Sequence, residues 1–381
     1  MTHLYLEEEH HIFRDALRKF LQKEAVPHYE QWEQDRMIPR EFWHKMGEQG
    51  FLCATLDEKY GGLNADFVYT VILNEELERV GGGLGGIGLH NDVCVPYLNN
   101  YGTEEQKLKW LPKCATGEII MSVAMTEPGA GSDLANIKMT AVHDGDHYII
   151  NGEKTFITNG IQSDLIILAC KTDPSAVPGH KGISLILVEP DAPGFSRGKK
   201  LNKMGLFAQD TAELIFEDAH VPVENLLGEE GKGFSYLMSK LQQERLVCSI
   251  QAVVAAEEML KMTLDYVKTR KAFGKSISQF QNTQFKMAEM ATDIEICRTF
   301  IDNLIANHIA GKELVTQVSM AKWRTTHLAK QVASECLQLH GGYGYMEEYP
   351  ISRRFRDIQV TSIYAGTNEI MKQIIAKKLE L

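Results

Sequence analysis

The chain lacks any apolar run approaching the roughly 18 residues that a membrane-spanning helix needs. It also lacks an excess of basic charge: 40 Lys and Arg stand against 51 Asp and Glu, a formal charge of −11. The first absence leaves no segment to place across a bilayer. The second argues against nucleic acid or an anionic membrane surface as a partner. Cysteine is sparse and irregular. Positions 53, 94, 114, 170, 248, 297 and 336 never form Cys-x-x-Cys, and seven is an odd number. That pattern favours reduced thiols over a disulfide frame or a zinc site, so no metal is expected and a cytoplasmic setting is. Met1 to His10 are acidic and have no apolar core, unlike a secretory signal or an Arg-rich transit peptide. A trimmed organellar protein would start in a similar way. Repeats and low-complexity tracts are missing too.

What is present is ordinary globular composition. The 381 residues are 44% hydrophobic and 24% charged, enough for two or three domains. Residues 1–119 read as helical: Phe13, Leu17, Phe20 and Leu21 recur at helical spacing. Further helices are expected over Arg40–Glu48, 68–80 and 103–115, the last opened by a capping box of Thr103 and Gln106. Gly81-Gly82-Gly83-Leu84-Gly85-Gly86 has the spacing of a dinucleotide fingerprint. It follows a helix instead of a strand, so a helix break or close helix packing explains it better. Residues 120–229 change character. Short apolar runs at 119–125, 147–150, 165–170, Ile183–Val188 and 212–216 alternate with Gly and Pro, as strands do. From 230 to 381 long helices return, over about 234–269, 281–310 and 314–340, with a last one from Thr367. The expected architecture is α+β: an N-terminal helical domain, a middle β domain and a C-terminal four-helix bundle.

Two motifs carry the chemistry. Met125-Thr126-Glu127-Pro128-Gly129-Ala130-Gly131-Ser132-Asp133 follows a strand. Its glycines let backbone N–H groups approach an anion, and its hydroxyls add donors. A turn with no ligand is the competing explanation. In Asn151-Gly152-Glu153-Lys154-Thr155-Phe156-Ile157-Thr158-Asn159-Gly160, Phe156 and Thr158 sit two apart, on one face of a strand. An aromatic surface beside a hydroxyl suits an isoalloxazine ring; for Phe156 alone, core packing would be the simpler explanation.

In this order the motifs resemble those of the flavin-dependent acyl-CoA dehydrogenases, and the resemblance runs from Glu8-Glu9 to the final helix. It implies that fold, FAD as cofactor, an acyl-CoA substrate, electron-transfer flavoprotein as acceptor and a homotetramer. Met125, Thr126, Phe156 and Thr158 match positions that hold the flavin ring. Ser132 matches one near the pyrophosphate and the CoA. Arg270 and Phe273 in Arg270-Lys271-Ala272-Phe273-Gly274, with Gln281, Gln338, Gly341 and Gly342, match segments reaching the adenosine half, often across a subunit interface. Thr367 and Glu369 match further FAD contacts. Leu241, Arg245, Tyr364 and Gly366 are candidate substrate contacts.

Many family members carry their catalytic glutamate where this chain has Ala365. A backbone N–H there still serves the thioester oxygen; the base must come from elsewhere. Glu244 is the candidate. Leu237, Leu241, Glu244, Cys248 and Gln251 lie on one side of a helix, and a carboxylate in that apolar stripe should be partly buried, with its pKa raised. The long-chain and isovaleryl branches place their base on this helix, in a pair that resembles Glu244-Arg245. The competing explanation is a surface glutamate paired with Lys240 or Lys261. Arg245 would orient the site, since a guanidinium does not release its proton. The expected reaction is α,β-dehydrogenation of a medium-chain, long-chain or branched acyl-CoA. An isovaleryl-type enzyme, an inert FAD-binding flavoprotein and an oxygen-using variant are the alternatives; a DNA-associated relative is disfavoured by the acidic charge.

Overall fold

The computed structural model describes residues 5–381, so the first four residues of the acidic start lie outside the described residues. Helices come first: α1 Glu8–Glu24, α2 Tyr29–Asp35, α3 Arg40–Glu48, α4 Phe67–Val80, α5 Gly85–Gly88, α6 Val95–Tyr101 and α7 Glu104–Ala115. Leu17 and Leu21 are buried on α1, and Trp43 and Met46 on α3, so the apolar spacing selects the inner faces. Thr103 and Gln106 form the reciprocal cap of α7. The glycine run 81–86 serves packing. A Cβ on Gly81 would stand 2.4 Å from the Tyr29 ring, and one on Gly86 would stand 2.4 Å from Asn159 Oδ1. Between α5 and α6, Leu89–Cys94 winds as a π-helix that the apolar pattern does not announce.

The strands are β1 Met121–Ala124, β2 Thr140–Asp144, β3 His147–Thr158, β4 Leu165–Lys171, β5 Ile183–Val188, β6 Phe195–Lys200 and β7 Thr211–Pro222. They form one sheet in the order β1-β4-β2-β3-β7-β6, with β5 beside β4. β4 and β5 are buried throughout save for Lys171, which explains their continuous apolar runs. β2 and β6 escaped the sequence reading. Ala141 is the one buried residue of β2 and β6 has none, so neither shows a hydrophobic alternation.

α8 Gly233–Thr269 then leads through the small hairpin β8 Lys271–Ala272 and β9 Lys275–Ser276 into α9 Gln281–Ile309 and α10 Val315–His340. α11 Pro350–Asp357 and α12 Asn368–Lys378 close the chain, α12 lying on α10. The parts are bolted together by polar contacts. Arg40 pairs with Asp164 at 2.8 Å. His90 is fully buried; its Nδ1 accepts the Met121 N–H at 3.1 Å, which leaves Nε2–H to donate to the Cys114 carbonyl at 3.2 Å. Arg298 of α9 meets Glu257 of α8 and Glu75 of α4.

Candidate active site

Glu244 sits on the inner face of α8 and is only 8% exposed. The fully buried Tyr97 of α6 donates its hydroxyl to Oε1 at 2.9 Å. Burial pushes the Glu244 carboxyl up to about 7, against the opposing pull of that hydrogen bond and of the Arg245 and Lys240 charges. A carboxylate in this range can take a proton near neutral pH. The surface-pair explanation does not hold. Lys261 pairs with Glu258, and Lys240 lies over the Tyr101 ring.

The loop 363–367 comes to the same place. Cys248, one turn after Glu244, meets the Tyr364 hydroxyl. A Cβ built on Gly366 would stand 3.6 Å from Arg245 Nη2, so the guanidinium reaches the loop. Arg245 is buried, and its Nε has no hydrogen-bond partner, a donor left for something the chain does not itself supply. Ala365 and Gly366 are both left-handed, at φ 53° and 86°. The Ala365 N–H makes no hydrogen bond among the described residues. From α10 the fully buried Lys322 donates Nζ to the Gly366 carbonyl at 2.7 Å and reaches Asn368 Oδ1 at 3.5 Å. Thr367 caps α12 by accepting the Ile370 N–H, and Glu369 follows in its first turn. Leu241 is half-buried one turn before Glu244.

On the sheet, Phe156 and Thr158 do share an outward face, with Ile157 buried between them. Simple alternation is not the cause. The β3–β7 register shifts between Lys154 and Ile157, and Phe156 takes a φ of 61°. This bulge turns both Lys154 and Thr155 inward and leaves Phe156 68% exposed, far from the core packing that an isolated phenylalanine would suggest. Gln209 donates Nε2 to the Thr158 hydroxyl at 3.1 Å. The 125–133 loop is held from beneath by Glu127, which accepts the Lys138 and Met139 N–H groups and pairs with the buried Lys154 at 2.9 Å. Met125 and Thr126 are half-buried at its start, and Ser132 is exposed. A Cβ on Gly129 or Gly131 would meet nothing within 4 Å. Packing within the chain therefore does not require these glycines, and they leave the loop backbone open to the approach of an anion.

Arg270, Phe273, Gln281, Gln338, Gly341 and Gly342 form a separate cluster at the far end of the bundle. The Arg270 guanidinium lies 5.5 Å from the Tyr343 ring, Phe273 is 95% exposed, and Gly341 and Gly342 face open space. Arg270 follows Glu244 by 26 positions, about 39 Å along α8 at 1.5 Å per residue. One chain does not bring this cluster to the Glu244 site. Sequence reasoning missed Tyr97, Glu127, Gln209 and Lys322. Lys322 had a signal: a lone cation among Val318, Ala321, Thr325 and Ala329 on one helical face. Among the described residues no group of His, Cys, Asp or Glu could hold a metal ion, and no helix is long and apolar enough to cross a membrane.

Comparison with known proteins agrees with this architecture. The acyl-CoA dehydrogenase N-terminal domain matches residues 7–118, the middle domain 122–219 and the C-terminal domain 231–380. In class the chain is a flavoprotein oxidoreductase. It belongs to the acyl-CoA dehydrogenase family. The long-chain specific acyl-CoA dehydrogenase, mitochondrial, of Mus musculus is 47% identical over 371 residues, 97% of this chain and 86% of the relative. The isovaleryl-CoA dehydrogenase, mitochondrial, of Pongo abelii is 39% identical over 98% of this chain and 89% of its own length. The crystal structure of acyl-CoA dehydrogenase from Geobacillus kaustophilus is 68% identical, with full coverage of both chains and a TM-score of 0.99.

Proposed function

We propose that the chain oxidises a medium-chain, long-chain or branched acyl-CoA to its trans-2-enoyl thioester, with Glu244 as the base. The observation that carries this is the buried Glu244 carboxyl, poised near neutral pH beside the 363–367 loop. Glu244 takes the α-proton. The free Ala365 N–H holds the thioester oxygen as negative charge grows on it. Arg245, Leu241, Tyr364 and Gly366 orient the acyl group; Arg245 stays charged and is no acid. FAD, when bound, supplies the acceptor for the hydride that leaves the β-carbon.

The residues fit that cofactor. Met125, Thr126, Phe156 and Thr158 would hold its ring, Ser132 its diphosphate side, and Thr367 and Glu369 the neighbouring polar groups. Arg270, Phe273, Gln281, Gln338, Gly341 and Gly342 would hold the adenosine half bound by another copy, which the separation along α8 supports. A homotetramer with electron-transfer flavoprotein as acceptor follows from the family, and a cytoplasmic location from cysteine usage. The methyl group at Ala365 leaves room beside the reacting carbons, so a short branched acyl-CoA of the isovaleryl kind remains the main alternative substrate.

Anaerobic titration of the holoenzyme with a panel of acyl-CoA thioesters tests the proposal. Wild type should bleach its flavin band, and the panel ranks substrates. Glu244→Gln should bind yet bleach about 10²–10⁴-fold more slowly. Equal rates would remove Glu244 from the role. Bleaching by no thioester would favour an inert flavoprotein.

A further inference from the structure

Glu244 is held from another helix. Tyr97 Oη donates to its Oε1, while Oε2 takes no hydrogen bond from the described residues. Tyr97 is itself fixed. It is fully buried and lies 6.3 Å, ring to ring, from Tyr101. Tyr101 in turn stacks on Tyr236 of α8 at 3.9 Å and shares a 2.6 Å hydrogen bond with Ser239. Gln243 of α8 donates to the Asp92 carbonyl in the π-helical segment at 2.9 Å. The α6 and α8 faces are thus tied by several contacts around one carboxylate. The π-helix sets the rotation at which α6 presents Tyr97, and such wide turns recur at functional sites.

We propose that Tyr97 is a positioning residue for the dehydrogenation: its hydroxyl clasps Glu244 Oε1, so that Oε2 alone faces the α-carbon of the substrate. This rests on Glu244 being the base. In the step, the α C–H bond breaks and the proton passes to Oε2, forming a neutral carboxylic acid. The C–H electron pair moves into the Cα–Cβ bond as the hydride leaves Cβ for the acceptor that FAD, when bound, would supply. Tyr97 keeps its proton throughout and goes on donating to Oε1. Burial and the Glu244 charge hold its phenol well above the ordinary range, so it remains a donor across working pH.

The groups facing Glu244 are few. From the α6 side they are Tyr97 and the buried Cys94, a thiol that burial keeps protonated; from α8 they are Arg245 and Lys240. Of these, Tyr97 alone donates a hydrogen bond to the carboxylate.

The test is the pH dependence of anaerobic flavin bleaching in wild type, Tyr97→Phe and Glu244→Gln holoenzymes. Losing a donor to the carboxylate should move the acidic limb of Tyr97→Phe up by about one pH unit, a tenfold slower reaction on that limb. Thioester affinity and flavin content should stay unchanged. Replacing Tyr97 with 3-fluorotyrosine keeps its shape and makes the hydroxyl a stronger donor. It should move the limb the other way, and it remains informative if Tyr97→Phe does not fold. If Glu244→Gln is slow while both Tyr97 variants keep the wild-type limb, the Tyr97 assignment is overturned. If Glu244→Gln is as fast as wild type, the base assignment fails first.

Discussion

Replacing Glu244 by glutamine should make the protein more stable, and more so as pH rises. The carboxyl ordinarily titrates at 4.5 and is held at about 7 in the folded chain, mainly by burial. Between those values the unfolded chain gives up a proton that the folded chain keeps, so folding weakens as pH rises. Above pH 7 the loss is constant. At about 1.4 kcal/mol per pH unit, a span of about 2.5 units gives a penalty of about 3 kcal/mol. Glutamine carries no such penalty, and its side-chain carbonyl can still accept the Tyr97 hydroxyl. Thermal unfolding of both proteins, at matched flavin loading, should show little difference at pH 4.5 and a clear gain for Glu244→Gln at pH 8. A gain of the same size at both pH values, or a loss at pH 8, would refute a strained carboxylate at this position.

Other outcomes follow from the same geometry. Lys322→Met removes the donor to the Gly366 carbonyl; it should slow flavin bleaching by acyl-CoA at least tenfold in stopped-flow measurements, with the circular dichroism spectrum retained. Gly131→Leu should fold normally, because a Cβ there meets nothing within 4 Å and the loop is exposed there, yet purify with little flavin, as absorbance will show. His90 is held neutral, its pKa pushed down to about 4 by burial. Stability should therefore fall as pH drops from 6.5 towards 4, where the unfolded chain gains a proton that the folded chain refuses, by up to about 3 kcal/mol. His90→Gln should flatten that slope in unfolding titrations.

Much of this was legible in the chain. The spans Arg40–Glu48 and Ile183–Val188 lie where apolar spacing puts them, and the Thr103–Gln106 cap is a local event that local residues announce. The burial of Glu244 was readable because its stripe on α8 is otherwise largely apolar. What escaped is what depends on partners distant in sequence. β6 is polar at the sheet edge and gains its identity only by pairing with β7. Tyr97 precedes Glu244 by 147 positions, and nothing in its own neighbourhood marks it. The bulge at Phe156 arises from the β3–β7 register, which no single strand reveals.

The π-helix at Leu89–Cys94 makes chain length itself a design variable. Winding the same six residues as an ordinary α-helix would swing everything after them by about 100° about the helix axis. Tyr97 would then turn away from α8, although no residue of the donor–acceptor pair had changed. Substitutions that preserve the wide turn should be tolerated in this segment, and a single-residue deletion that winds it as an ordinary α-helix should leave Tyr97 close to its place. A library that scores the two kinds of change side by side would read the match between residue count and winding, apart from residue identity, as the quantity that aligns donor with base.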